Sequence, residues 1–117
     1  MEEMTNGRDG DYLAEMDELH ARVMGAGSLS KREKELIALA LSVAMRCETS
    51  AAYHLYNALE SGATPKDIDE ALEIVVTTMG EPAAVQLAQV RRALEEGPSG
   101  KKPESPYRRG VPYMSPD

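Results

Sequence analysis

The chain has 117 residues, 42% hydrophobic and 28% charged, with a formal net charge of −7. Those values describe one globular domain rather than a disordered chain, and the acidity argues against nucleic-acid phosphates or an anionic membrane surface as partners. One cysteine excludes an intrachain disulfide scaffold.

Residues 1–10 are acidic and polar, the wrong chemistry for a signal peptide, and are expected to be a flexible N-terminus. A helical domain is expected over 11–96. Its first helix runs from about Asp11 to Met24, with Leu13, Met16, Leu19, His20 and Val23 at helical spacing and Gly25-Ala26-Gly27 as the stop. A second helix starts near Lys31, where Ser30 and Glu33 form a capping box.

The run Leu36–Met45 is the longest apolar stretch, far short of the ~20 residues that span a bilayer. With the acidic N-terminus it points to a cytoplasmic protein. No Gly or Pro interrupts the following segment, so either one helix reaches Ser61 or a break falls near Cys47 to Thr49; the break is favoured because Glu48 or Thr49 can restart a helix. Gly62 closes that segment.

Thr64, Pro65 and Asp67 then supply N-cap, N1 and first-turn acid for a helix with apolar Ile68, Leu72, Val75 and Val76. Gly80 ends it, and a last helix runs from Glu81-Pro82 to about Glu96. Residues 97–117 hold five of the seven prolines and form a tail that cannot build a core. Ile37, Leu41, Val43, Ile74 and Val75 point several ways around their helices. Broad stripes on a small body predict homo-oligomerisation.

The chemistry concentrates in "RCETSAAYH", residues 46–54. Cys47, Ser50 and His54 share one face of a helix by their spacing of three and four. Imidazole at 54 can bond the hydroxyl or assist the thiol, and a helix starting at Glu48 puts Cys47 at its positive end. Against this stands the plain alternative of a small buried cysteine and a packed core histidine. Glu35, at the edge of the apolar run, either faces water or points inward as a proton acceptor beside His54. His20 has no comparable neighbours in the pattern. Two histidines and one cysteine supply no metal-ligand spacing, and no Gly-rich phosphate loop or nucleophile elbow is present, so no cofactor or metal is expected.

The segment "LSKREKELIALA", the Cys/His helix, "ALESGATPKDIDEAL" and Gly80-Glu81-Pro82-Ala83-Ala84, in that order over roughly residues 29–96, resemble the carboxymuconolactone decarboxylase and AhpD-like family. The resemblance implies an all-α, AhpD-like helical domain assembled as a homotrimer or a homohexamer. In the AhpD-like branch a Glu twelve residues before CxxCxxxH relays protons through the His to a dithiol, which reduces hydroperoxides or passes electrons between carriers. Carried over, the Glu is Glu35, the first Cys is Cys47 and the His is His54, while Ser50 stands where the attacking thiol is expected. The resemblance thus implies a thiol-based peroxidase with antioxidant activity and an incomplete CxxC. Either Cys47 works alone through a sulfenic acid reset by an external thiol, of lipoyl or thioredoxin type, or Ser50 is an introduced Cys→Ser replacement. The alternatives are a decarboxylase-like lyase on a small carboxylated lactone, with Glu35 and His54 handling protons and Arg46, Arg108 or Arg109 as cations, and a non-catalytic oligomeric binding protein.

Overall fold

The structure, a computed structural model, describes residues 2–96 and residue 103. The remainder of the predicted tail, with Arg108 and Arg109, lies outside the described residues. All described secondary structure is helical: α1 (Glu2–Val23), α2 (Lys31–Ala44), α3 (Glu48–Glu60), α4 (Pro65–Met79) and α5 (Glu81–Glu96). The helix α1 begins at Glu2, upstream of Asp11 where the apolar spacing starts.

Helix starts follow their local chemistry. Ser30 Oγ accepts from the Glu33 N–H at 3.0 Å while the Glu33 carboxylate accepts from the Ser30 N–H at 2.8 Å. Thr64 and Asp67 repeat the arrangement at the start of α4, with Pro65 in the first turn. Arg32 reaches from α2 to Asp67 at 3.2 Å, so the two capped ends are also tied to each other.

The break between α2 and α3 falls at residues 45–47, and the residue that makes the turn is unexpected. Arg46 has φ 58°, the left-handed region that a glycine usually occupies. Its N–H donates to the Val43 carbonyl at 3.1 Å and the Cys47 N–H to the Ser42 carbonyl at 2.9 Å. These are the paired bonds of a Schellman motif. The same motif closes α3 at Gly62, φ 99°, with Ala63 N–H on the Ala58 carbonyl at 2.9 Å. At Gly62 the conformation is free of strain, whereas at Arg46 it costs about 1–2 kcal/mol. Arg46→Gly is therefore expected to raise the unfolding free energy by up to ~1 kcal/mol, the relief being partly offset by the greater freedom of glycine in the unfolded chain. Urea titration reads it.

The turn folds α3 back on α2, and both pack with α4 and α5. Leu39 and Val43 of α2, Ala58 of α3, Ile68 and Leu72 of α4 and Leu87 of α5 share one core. The broad stripes divide into two faces. Val43 and Val75 enter that core, while Ile37, Leu41 and Ile74 are exposed, Ile74 at 68%. On α1, Tyr12, Met16, Leu19 and Val23 are exposed as well, so its apolar face is largely uncovered. The end of α1 is held by Lys34, whose Nζ donates to the carbonyls of Val23 at 2.8 Å and Gly25 at 2.7 Å. No described helix is long and apolar enough to cross a membrane.

Candidate active site

Helices α2 and α3 run side by side after the Arg46 turn, which sets residues of the two in register. Glu35 and His54, 19 positions apart, meet there: His54 Nδ1 lies 2.8 Å from Glu35 Oε1. Both are sealed from solvent, Glu35 at 2% and His54 at 1% exposure. Glu35 thus points inward. With Glu35 as carboxylate, the Nδ1–H of His54 donates to it, and Nε2 is left as the nitrogen that exchanges protons.

One turn earlier on α3, Ser50 is buried against Ser42 of α2, with the two oxygens 2.8 Å apart. Ser42 donates its own hydroxyl hydrogen to the Ala38 carbonyl at 2.8 Å, so Ser50 is the donor between the two hydroxyls. Its proton points at Ser42 rather than at His54. Ser50 is accordingly a poor candidate for a nucleophile activated by the imidazole, and a hydrolase triad built on Glu35, His54 and Ser50 is disfavoured by the bonding itself.

Cys47 is the N-cap residue of α3 and makes no capping hydrogen bond. The residue is exposed, so the reading of Cys47 as a small buried hydrophobe does not apply. His54 lies two helical turns further on, a rise of about 10.5 Å for seven residues. Along α3 the candidates thus run from the exposed Cys47 at its start, through the buried Ser50 bonded to Ser42, to the buried His54 bonded to Glu35. Arg46, the nearest cation in sequence, is exposed.

A fifth residue belongs to this group. The His20 ring stands 5.0 Å from that of His54, centroid to centroid, tilted by 45°; the expectation that His20 has no comparable neighbours is corrected. Nothing in the local pattern signals the contact, because it joins α1 to α3 across the fold. The edge of Tyr53 approaches the His54 ring at 5.1 Å. Desolvation holds the His20 pKa below its ordinary 6.5, assisted by the His54 charge and opposed by Glu35 and Asp17. A histidine that resists protonation in the folded state favours folding above its unfolded pKa and loses that contribution as pH falls. Stability is therefore expected to decline on acidification below about pH 6.5, and His20→Gln should flatten that decline in denaturant titrations between pH 7 and 5. Glu33, Asp67 and Asp69, whose pKa values are lowered by their hydrogen bonds, act only in the more acidic carboxylate range.

Among the described residues no group of three or more His, Cys, Asp or Glu side chains is arranged to hold a metal ion. The model of the carboxymuconolactone decarboxylase family matches residues 10–93. The chain belongs to the carboxymuconolactone decarboxylase family. The fold agrees. A family member from Thermotoga maritima, for which a part in an antioxidative response has been suggested, superposes with a TM-score of 0.56 at 28% identity, over 72% of this chain and 94% of that one. Among curated proteins, none matches the sequence.

Proposed function

We propose that this family member is a single-thiol oxidoreductase of the AhpD-like kind, reducing a hydroperoxide or a disulfide. The observation that carries the reading is the buried bond of 2.8 Å from Glu35 on α2 to His54 on α3, the helix whose N-cap is the exposed Cys47. An accessible thiol, with an imidazole further along the same helix and a carboxylate bonded to that imidazole, is what the chemistry needs. The Cys47 sulfur attacks the outer peroxide oxygen, the O–O bond breaks, and the leaving alkoxide takes up the proton the thiol gave. The products are a sulfenic acid and an alcohol. An external thiol then displaces water from the sulfenic acid to form a mixed disulfide, and a second thiol releases Cys47 as the reduced thiol. Glu35 and His54 hold and return the protons of this cycle. A dihydrolipoyl or thioredoxin-type dithiol fits the reductant, and a reducing cytoplasm is the compartment such a cycle requires.

Iodoacetamide at neutral pH should label Cys47 in the folded protein, and Cys47→Ser should remove peroxide turnover. An inert thiol together with an unchanged Cys47→Ser variant would sink the proposal.

The lyase reading is favoured by one observation, the separation of the buried Glu35–His54 pair from Cys47. It requires a cation for the substrate carboxylate, and Arg46 turns outward. Turnover of a carboxylated lactone that survives Cys47→Ser would establish it. Absence of both activities would leave a binding protein.

We also propose that the chain is a homotrimer or homohexamer. The uncovered face of α1, with Tyr12 59% exposed, and Ile37 and Leu41 on α2 with its C-cap Met45, 78% exposed, supply apolar surface beyond what isolated side chains would. Light scattering at micromolar concentration should give three or six times the 12.7 kDa chain mass; a monomeric mass would overturn this.

A further inference from the structure

His54 is 1% exposed, and its Nδ1 is occupied by Glu35. Any proton that Glu35 and His54 exchange with the outside must pass a neighbouring group. Two rings touch His54: Tyr53, edge-on at 5.1 Å, and His20 at 5.0 Å. Of the two, the imidazole is the side-chain type suited to exchanging protons near neutrality. His20 is half-buried as a residue and stacked on His54, and its Nε2 is sealed from solvent, so a route outward leaves the ring at Nδ1.

The position is fixed from outside the ring. His20 lies in the last turn of α1, and Lys34, the residue before Glu35, anchors that end through the Val23 and Gly25 carbonyls. One stretch of α2 therefore supplies both the acid bonded to His54 and the anchor that holds the second imidazole against it.

We infer that His20 is a positioning and proton-transfer residue that links the buried Glu35–His54 pair to solvent. The inference rests on the reading of that pair as proton-handling machinery, and it holds for either the thiol or the lyase chemistry. The rings are in contact at 5.0 Å without a hydrogen bond between them, so transfer runs through one bridging water, a route acid–base chemistry allows. No bonds other than N–H and water O–H are made or broken: a proton leaves one imidazole nitrogen for the other, and solvent resets His20. The charged groups around His20 fit this role. Asp17 on its own helix and Glu35 on α2 favour the protonated ring, while the charge of His54 on α3 disfavours it. The two imidazoles thus oppose simultaneous protonation.

Nitrogen-15 NMR of the ring nitrogens in the unliganded full chain tests the link without relying on turnover. His20→Phe keeps an aromatic ring over His54 but cannot carry a proton, and His20→Gln keeps polarity without titrating near neutrality. In both, exchange of the His54 ring proton with solvent is expected to slow by roughly tenfold or more. In His54→Gln the His20 titration should move up in pH, and in Glu35→Gln it should move down. In whichever assay the wild type is active, His20→Phe should lower kcat and leave KM near its wild-type value. Unchanged His54 proton exchange in a folded His20→Phe variant, or a His20 titration indifferent to His54→Gln, overturns the inference. A wild type inactive toward both peroxide and lactone would instead sink the proposed function, while the exchange rates would still decide the role of His20.

Discussion

Replacing Glu35 by alanine should lower the unfolding free energy by about 3–5 kcal/mol, the cost of leaving one member of a buried polar pair without its partner. The side chains of Glu35 and His54 are 3% and 2% exposed, so water cannot replace the lost acceptor. Glu35→Gln keeps a carbonyl for the imidazole N–H and should cost less, about 1–3 kcal/mol. The informative comparison is the double replacement Glu35→Met with His54→Leu. Two apolar side chains of similar volume need no partners, and such exchanges are often neutral or stabilising. If the double variant is more stable than Glu35→Ala and close to wild type in urea titrations, the pair is not kept for stability. All three variants should have impaired proton handling, and their turnover should fall by about 10²–10⁴-fold. A Glu35→Ala protein as stable and as active as wild type would remove Glu35 from the site.

Ser50→Cys should have the opposite effect on activity. It places a second thiol one turn from His54 and three positions after Cys47, completing a CxxC at a helix N-terminus, the setting that favours dithiol chemistry. Peroxide or lipoyl-linked turnover should rise above wild type, and an internal disulfide should become available to the oxidised protein. The change has a structural cost, because a thiol is a weak donor and the bond from Ser50 to Ser42 is buried. A loss of about 1–2 kcal/mol is expected from that bond alone. If activity appears only in Ser50→Cys, the natural chain is not a dithiol reductase and the single-thiol cycle must be abandoned; wild-type turnover that alkylation of Cys47 removes would instead support that cycle. The two measurements together separate a frame that works with one sulfur from one that needs two.

What the sequence made legible followed the range of its interactions. The starts of α2 and α4 could be read directly, because Ser30–Glu33 and Thr64–Asp67 satisfy backbone groups within one turn. The break before α3 was readable as a place but not as a mechanism, since the turn uses Arg46 in a conformation that no local rule assigns to arginine. Glu35 and His54 were both readable as candidates. Their contact depends on how α3 returns along α2, and whether Glu35 pointed inward was open until that packing was known. His20 was not readable at all: its importance comes from where the end of α1 lies, which Lys34 fixes through backbone carbonyls that carry no sequence signature. The division of the broad stripes into an inner Val43–Val75 set and an outer Ile37–Leu41–Ile74 set likewise required the packed helices.

The buried Ser42–Ser50 pair has an effect on charge movement that differs from that of the imidazoles. Ser50 donates to Ser42 and Ser42 to the Ala38 carbonyl, so the hydrogens of this short chain all point the same way and end on an amide oxygen that holds no proton to pass on. Such a wire is blocked at its far end. It can carry a proton only if both hydroxyls rotate together, breaking the bond to Ala38. The serine pair therefore offers no continuous proton path from α3 toward α2.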